Sequence, residues 1–165
     1  MPYRRAGVPG GTYFFTATLA DRSQSLLTTH IAALREAFRT TRQRHPFDTV
    51  AMVVLPEHLH CIWQLPAGDC AYATRWALIK SAFARQLVPG EPVSLSRHLK
   101  REGGIWQRRY REHCLRDVAD VQRHIDYIHF NPVKHGYVKR PIDWPYSSVH
   151  RHIARGLLPN DWAGP

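Results

Sequence analysis

Apolar and polar positions change period several times along the chain, and the changes mark its elements. Thr12–Leu19, preceded by Gly10 and Gly11, is rich in β-formers and predicts a strand. From Thr29 to Arg44, Ile31, Leu34 and Phe38 recur on one helical face while Arg35, Arg39 and Arg42 fall on another. That is an amphipathic helix, ending near Pro46. Phe47–Leu55 and Leu59–Leu65 are apolar runs separated by Pro56, Glu57 and His58, which predicts two strands with a short connection. Ala71–Leu87 returns to helical spacing, with Trp76, Ile79, Phe83 and Leu87 as its stripe. After a polar loop over Pro89–Gly104, Ile105–Leu115 reads as a twisted or irregular strand. Asp117–Asn131 reads as a helix capped by Asp117 and stopped by Pro132.

The order is β-α-β-β-α-β followed by a helix. It predicts an α+β protein with the ferredoxin-like arrangement, an antiparallel sheet with helices packed on it. No repeat or linker divides the chain, so one domain is expected over residues 1–165, with a core of about 10–136 and a tail over 137–165. Because this fold hosts RNA-binding modules, small-molecule enzymes and nucleases alike, function has to come from sites.

Composition narrows the classes. The chain carries 23 Lys+Arg against 13 Asp+Glu, a formal charge of +10, which points to nucleic acid or an anionic membrane. No run of eighteen or more apolar residues exists, and no signal-type apolar segment follows Arg4 and Arg5, so a cytoplasmic protein without a membrane span is expected. Cys61, Cys70 and Cys114 are odd in number and lack CxxC spacing, indicating neither a disulfide frame nor a zinc knuckle.

Chemistry concentrates in Leu55–Trp63, LPEHLHCIW. His58 and His60 are two apart on a strand and share a face, while Leu59, Cys61 and Trp63 face the other way. Two imidazoles on one face can begin a metal site, although ordinary edge histidines make the same pattern in a chain with eleven His. A histidine-triad hydrolase would need a third His where Ile62 stands, and nothing resembles GxSxG or HExxH. The last helix adds what the pair lacks. Its apolar stripe is Val118, Val121, Ile125 and Ile128; Tyr127 lies roughly 140° from it, and Asn131 about 40° round from Tyr127. A phenol oxygen can attack a phosphodiester, and a carboxamide oxygen can complete a metal site begun by two histidines.

The chain resembles the REP-associated tyrosine transposases, relatives of the single-tyrosine HUH transposases of insertion sequences. The resemblance runs almost the whole length, through Gly10–Thr16, Leu55–Trp63, Ile105–Arg108, His124–Gly136 and Asp143–Ser148. It implies a metal-dependent nuclease and strand transferase acting on single-stranded DNA at REP-type hairpins, where a short flanking tetranucleotide (GTAG or similar) is recognised. It places the metal-binding pair on His58 and His60, a further ligand on Asn131 and the nucleophile on Tyr127, with a 5′-phosphotyrosine intermediate. Imidazole donors suit Mn²⁺ better than Mg²⁺, and both stand as candidate cofactors.

DNA contacts are expected from the basic stretch Arg97, Lys100, Arg101, Arg108, Arg109, Arg111 and Arg116, where Trp106 and Tyr110 could stack on bases. Lys134, His135, Lys139 and Arg140 follow the catalytic helix, and Arg4 and Arg5 sit in the N-terminal segment. Tyr110 competes with Tyr127 as nucleophile on local charge alone, since Arg108, Arg109 and Arg111 surround it. The rival reading is a non-catalytic nucleic-acid-binding module on the same fold; monomer and homodimer both remain open.

Overall fold

The computed structural model describes residues 7–87 and 104–165. A four-stranded, wholly antiparallel sheet runs in the order β2-β3-β1-β4. Its strands are β1 (Thr12–Thr18), β2 (Asp48–Val54), β3 (His58–Gln64) and β4 (Arg111–Cys114). The helices are α1 (Leu26–Thr29), α2 (Ile31–Arg44), α3 (Tyr72–Leu87), α4 (Val118–Lys134) and α5 (Val149–Ala154), with a 3-10 turn at Pro141–Asp143. This is the α+β, ferredoxin-like order that the periodicity predicts.

Burial follows from the strands' places. In β1 every second residue is buried: Tyr13, Phe15 and Ala17 face α2 and α3, while Phe14, Thr16 and Thr18 face the opposite side. Central β3 is buried from His58 through Trp63, since helices cover both its faces. Leu59, Cys61 and Trp63 join the core beneath α2 and α3, where Trp63 stacks on Trp76 with ring centroids 4.6 Å apart. On the other face Ile62 packs with Val53, Leu55 and Ile128 of α4. Arg75 of α3 is 2% exposed, tolerated because its guanidinium binds the Asp69 carboxylate and the carbonyls of His45, Pro46 and Ala71.

Three elements depart from the sequence reading. The first helix begins at Ile31 rather than Thr29, because His30, with φ −109° and ψ 40°, breaks it from the short α1. The strand expected over Ile105–Leu115 is regular only from Arg111 to Cys114. Between the Thr16–Arg111 and Leu19–Trp106 pairs β1 advances three residues and its partner five, so the extra residues leave the ladder. Finally, α4 does not stop at Pro132 but runs on to Lys134. Proline there forfeits one backbone hydrogen bond in the last turn. The turn is closed instead by Gly136 N–H to the Val133 carbonyl and Tyr137 N–H to the Pro132 carbonyl, with Gly136 at φ +77°.

The tail beyond Gly136 belongs to the same packed body. Val54 N–H donates to the Tyr146 carbonyl, Ser148 N–H to the Met52 carbonyl, and Trp144 Nε1 to the Val54 carbonyl. This covers the open edge of β2, which would otherwise present unpaired backbone groups. Among the described residues no helix is long and apolar enough to cross a membrane.

Candidate active site

β3 carries His58 and His60 onto the face opposite α2 and α3, and the strand register places Thr16 and Thr18 of β1 directly beside them. Thr16 Oγ1 lies 2.8 Å from His60 Nδ1, and Glu57 Oε1 lies 2.7 Å from His58 Nδ1. Both rings are therefore tied back through Nδ1, and no hydrogen bond to a described residue occupies either Nε2. Each histidine is 5% exposed. Burial lowers the pKa of His58 against the opposing pull of Glu57. Burial, helped by the nearness of His58, His135 and Lys134, pushes His60 down to about 3. Both are neutral at physiological pH, the state in which an imidazole binds a metal. At Glu57, burial works to raise the carboxyl, but His58, a backbone N–H and Arg22 outweigh it and leave the pKa below its usual value.

α4 brings the phenol. Its N-terminus is fixed by Asp117, whose carboxylate accepts the Asp120 N–H at 2.8 Å, and its Ile128 side anchors it to the sheet. Tyr127 is 37% exposed, with its ring 5.3 Å from that of His60 and 6.1 Å from that of Phe14. Lys134 Nζ sits 4.9 Å from the Tyr127 ring centroid, and the His135 ring lies 5.3 Å from His58. Tyr127, His58, His60, His135 and Phe14 open on one cavity of about 940 Å³, lined also by Arg22, Gln107, Arg111, Arg123 and His124. A phenol oxygen, two neutral imidazoles and several cations around one open cavity suit attack on a phosphodiester.

No protein-family model matches the chain. Comparison with curated proteins does find relatives. The REP-associated tyrosine transposase of Escherichia coli is 47% identical over 162 residues, spanning 98% of this chain and 90% of that protein. A Haemophilus influenzae protein assigned to the same transposases is 49% identical over 164 residues, spanning 98% of this chain and 93% of its own length. The chain belongs to the REP-associated tyrosine transposases. Among solved structures, a REP-associated tyrosine transposase bound to a REP hairpin superposes with a TM-score of 0.87 at 47% identity, covering 100% of this chain and 92% of the other. The chain is thus a single-tyrosine HUH transposase.

For a transposase of this family the two tyrosines can now be placed. Tyr110 packs on the α3 side of the sheet, its ring 5.6 Å from Trp76 and 6.1 Å from Phe15. Tyr127 stands on the opposite side with the histidine pair. Asn131 departs from the expectation that it projects beside Tyr127. It is fully buried and does not line the cavity, because four helical residues turn about 400°, and the extra 40° carries it inward. Both its side-chain amide atoms are buried with no hydrogen-bond partner among the described residues. An orphaned amide and two neutral imidazoles are donor types that suit a divalent cation.

The basic residues divide. Arg111 and His135 line the cavity and Lys134 borders it, whereas Arg108 and Lys139 are exposed outside it. Arg109 lines a neighbouring hollow with Tyr110. Arg140 is held by Asp143 in a two-pronged pair at 2.9 and 2.7 Å. Trp106 is buried in the core, so it offers no stacking platform. Arg4, Arg5, Arg97, Lys100 and Arg101 lie outside the described residues. The sequence reading missed Glu57, Thr16, Phe14, Arg22, Arg123 and His124. Glu57 adjoins the HxH pair and could have been noticed; Thr16 emerges only once the β1–β3 register is known.

Proposed function

We propose that this transposase nicks and rejoins single-stranded DNA at REP-type hairpins with a short flanking tetranucleotide, using Tyr127 as nucleophile and a divalent cation, Mn²⁺ or Mg²⁺. The observation that carries the reading is the Tyr127 ring, 5.3 Å from His60 on the wall of the cavity both share. His58, His60 and Asn131 would hold the cation, which supplies charge neutralisation to a phosphate. The Tyr127 oxygen bonds to phosphorus and the bond to the 3′ oxygen breaks. The phenol loses one proton and the leaving 3′ oxygen gains one, giving a 5′-phosphotyrosine and a free 3′-hydroxyl. Reversal by the same or another 3′-hydroxyl rejoins DNA with no external energy source, because the phosphodiester energy is conserved in the covalent link.

Glu57 and Thr16 hold the imidazoles in orientation. Arg22, Arg111 and Arg123 attract phosphates to the cavity, while Lys134 and His135 add charge beside the nucleophile. The bound relative supports the hairpin as partner for this chain. The reading places the enzyme in the cytoplasm, associated with the nucleoid when on DNA.

The test is adduct formation with a hairpin oligonucleotide carrying a single-stranded flank. Tyr127→Phe should bind the hairpin but form no covalent species, and Tyr110→Phe should still form one. A DNA-linked peptide mapping to Tyr110, or full nicking in EDTA, would overturn the corresponding part of the reading.

A further inference from the structure

We propose that His113, Asp120 and His124 form a second divalent-metal site, of the transition-metal kind, at the edge of the catalytic cavity. One ligand atom from each residue lies within 4.8 Å of the other two. His113 comes from β4, and Asp120 and His124 from successive turns of α4. The two imidazole rings stack 5.3 Å apart at 26°, and both turn a nitrogen toward one carboxylate. His113 Nε2 is 3.4 Å from Asp120 Oδ2, and His124 Nδ1 is 3.4 Å from Oδ1. None of the three belongs to the set assigned above to the catalytic cation. The Phe14 ring stands between the two groups, 4.8 Å from His124 and 5.4 Å from His60.

The donor chemistry selects the ion. Two imidazoles and one carboxylate leave open coordination positions and suit Zn²⁺, Mn²⁺ or Co²⁺, whereas Mg²⁺ and Ca²⁺ prefer all-oxygen shells. Asp120 already accepts from the Arg116 N–H at 3.2 Å and from Arg123 at 3.1 Å. A carboxylate offers about four lone-pair positions, so these bonds leave room. Arg123 has a side chain 68% exposed and gives way readily. His124 Nδ1 lies 2.8 Å from the Asp120 carbonyl, which can only accept. In that bond Nδ1 is the donor, so His124 takes an ion through Nε2, and the 3.4 Å approach of Nδ1 to Oδ1 marks the ring's proximity to the carboxylate rather than the coordinating atom. His113 and His124 both line the catalytic cavity. An ion there clamps β4 to α4 and presents positive charge to DNA phosphates entering beside Tyr127.

The experiment counts tightly bound Zn²⁺ by elemental analysis after desalting, and follows Co²⁺ by its visible absorption. The proteins are the full chain, His113→Ala, His58→Ala/His60→Ala and the variant carrying all three changes. His113 has a half-exposed side chain on an edge strand, so its replacement leaves the core intact. The expected stoichiometries are two ions for the full chain, one for each of the first two variants and none for the last. Zn²⁺ should also raise the melting temperature of His58→Ala/His60→Ala, and this rise should vanish when His113→Ala is added. Loss of all binding in His58→Ala/His60→Ala, or an ion retained when all three histidines are gone, would overturn the second site. Failure of the first metal centre has a different signature, a count unchanged by His58→Ala/His60→Ala.

Discussion

Mild acid should unfold this protein over a window set by buried histidines rather than by carboxylates. His129 of α4 is fully buried, its Nε2 2.8 Å from Ser148 Oγ. Burial, helped by the nearness of His152, Arg151 and His150, holds its pKa down at about 3. His60 is also pushed to about 3, chiefly by burial. In the unfolded chain a histidine takes up its proton near pH 6.5; these two refuse it until far lower. Protons therefore bind the unfolded state preferentially, and the stability associated with the neutral native forms is present above 6.5 and drains away down to about 3. Each such group contributes a slope approaching 1.4 kcal/mol per pH unit, so from pH 7 to pH 5 each should cost about 2 kcal/mol, about 4 kcal/mol together. That is a large part of the stability of a typical domain. His58 and His152 are shifted in the same direction and add to the slope. Asp69, lowered to about 2 by Arg75, acts only below its usual 3.8 and leaves this window untouched.

The assay is urea unfolding at pH 7, 6 and 5 in EDTA at constant ionic strength, read by tryptophan fluorescence. His60→Gln, altered at the cavity wall, should flatten the profile by about one proton. Equal unfolding free energies at pH 7 and pH 5 would refute the argument, since two neutral buried imidazoles cannot coexist with a flat profile.

Two further perturbations test the supports of the site and of the fold. Glu57→Gln should weaken divalent-cation binding by roughly tenfold or more, because the carboxylate fixes His58 through its Nδ1; unchanged affinity in calorimetry would remove Glu57 from that role. Arg75→Met should destabilise the fold by about 3 kcal/mol, since it strands buried carbonyls and a carboxylate. Asp69→Asn should cost less because Asp69 is partly solvated, and equal unfolding midpoints for the two would contradict this accounting.

The parts of the fold legible in the sequence were those written in local periodicity. Alternation along β1, the HxH spacing on β3 and the α2 and α3 stripes each report a face directly. Where non-local pairing decides, the signal fades. The break in the strand before Arg111 arises from two extra residues opposite β1, which no local pattern announces. The continuation of α4 through Pro132 depends on the closing bonds at Gly136 and Tyr137, which outweigh proline's local preference. Asn131 shows the limit of helical-wheel reasoning: 40° separates an exposed phenol from a buried amide.

For the proposed nucleophile, topology separates two tyrosines that local chemistry ranks the other way. Tyr110 has arginines on both sides in sequence, the setting that lowers a phenol's pKa, and on that criterion it is the better nucleophile. But alternation along a strand is a two-state switch. β1 sends Tyr13, Phe15 and Ala17 to the side that α2 and α3 cover, and Tyr110 packs with Phe15 and Trp76 there. The histidines are on the other side, fixed by the pairing of His60 with Thr16. For Tyr110 to reach them, its ring would have to leave the aromatic packing and cross the sheet. Tyr127 needs no such rearrangement, since the Ile128 side of α4 is anchored to the same face that presents His58 and His60. A favourable local charge does not outweigh a place on the far side of the β-sheet from the histidines, so the topology supports Tyr127 over Tyr110 as the proposed nucleophile.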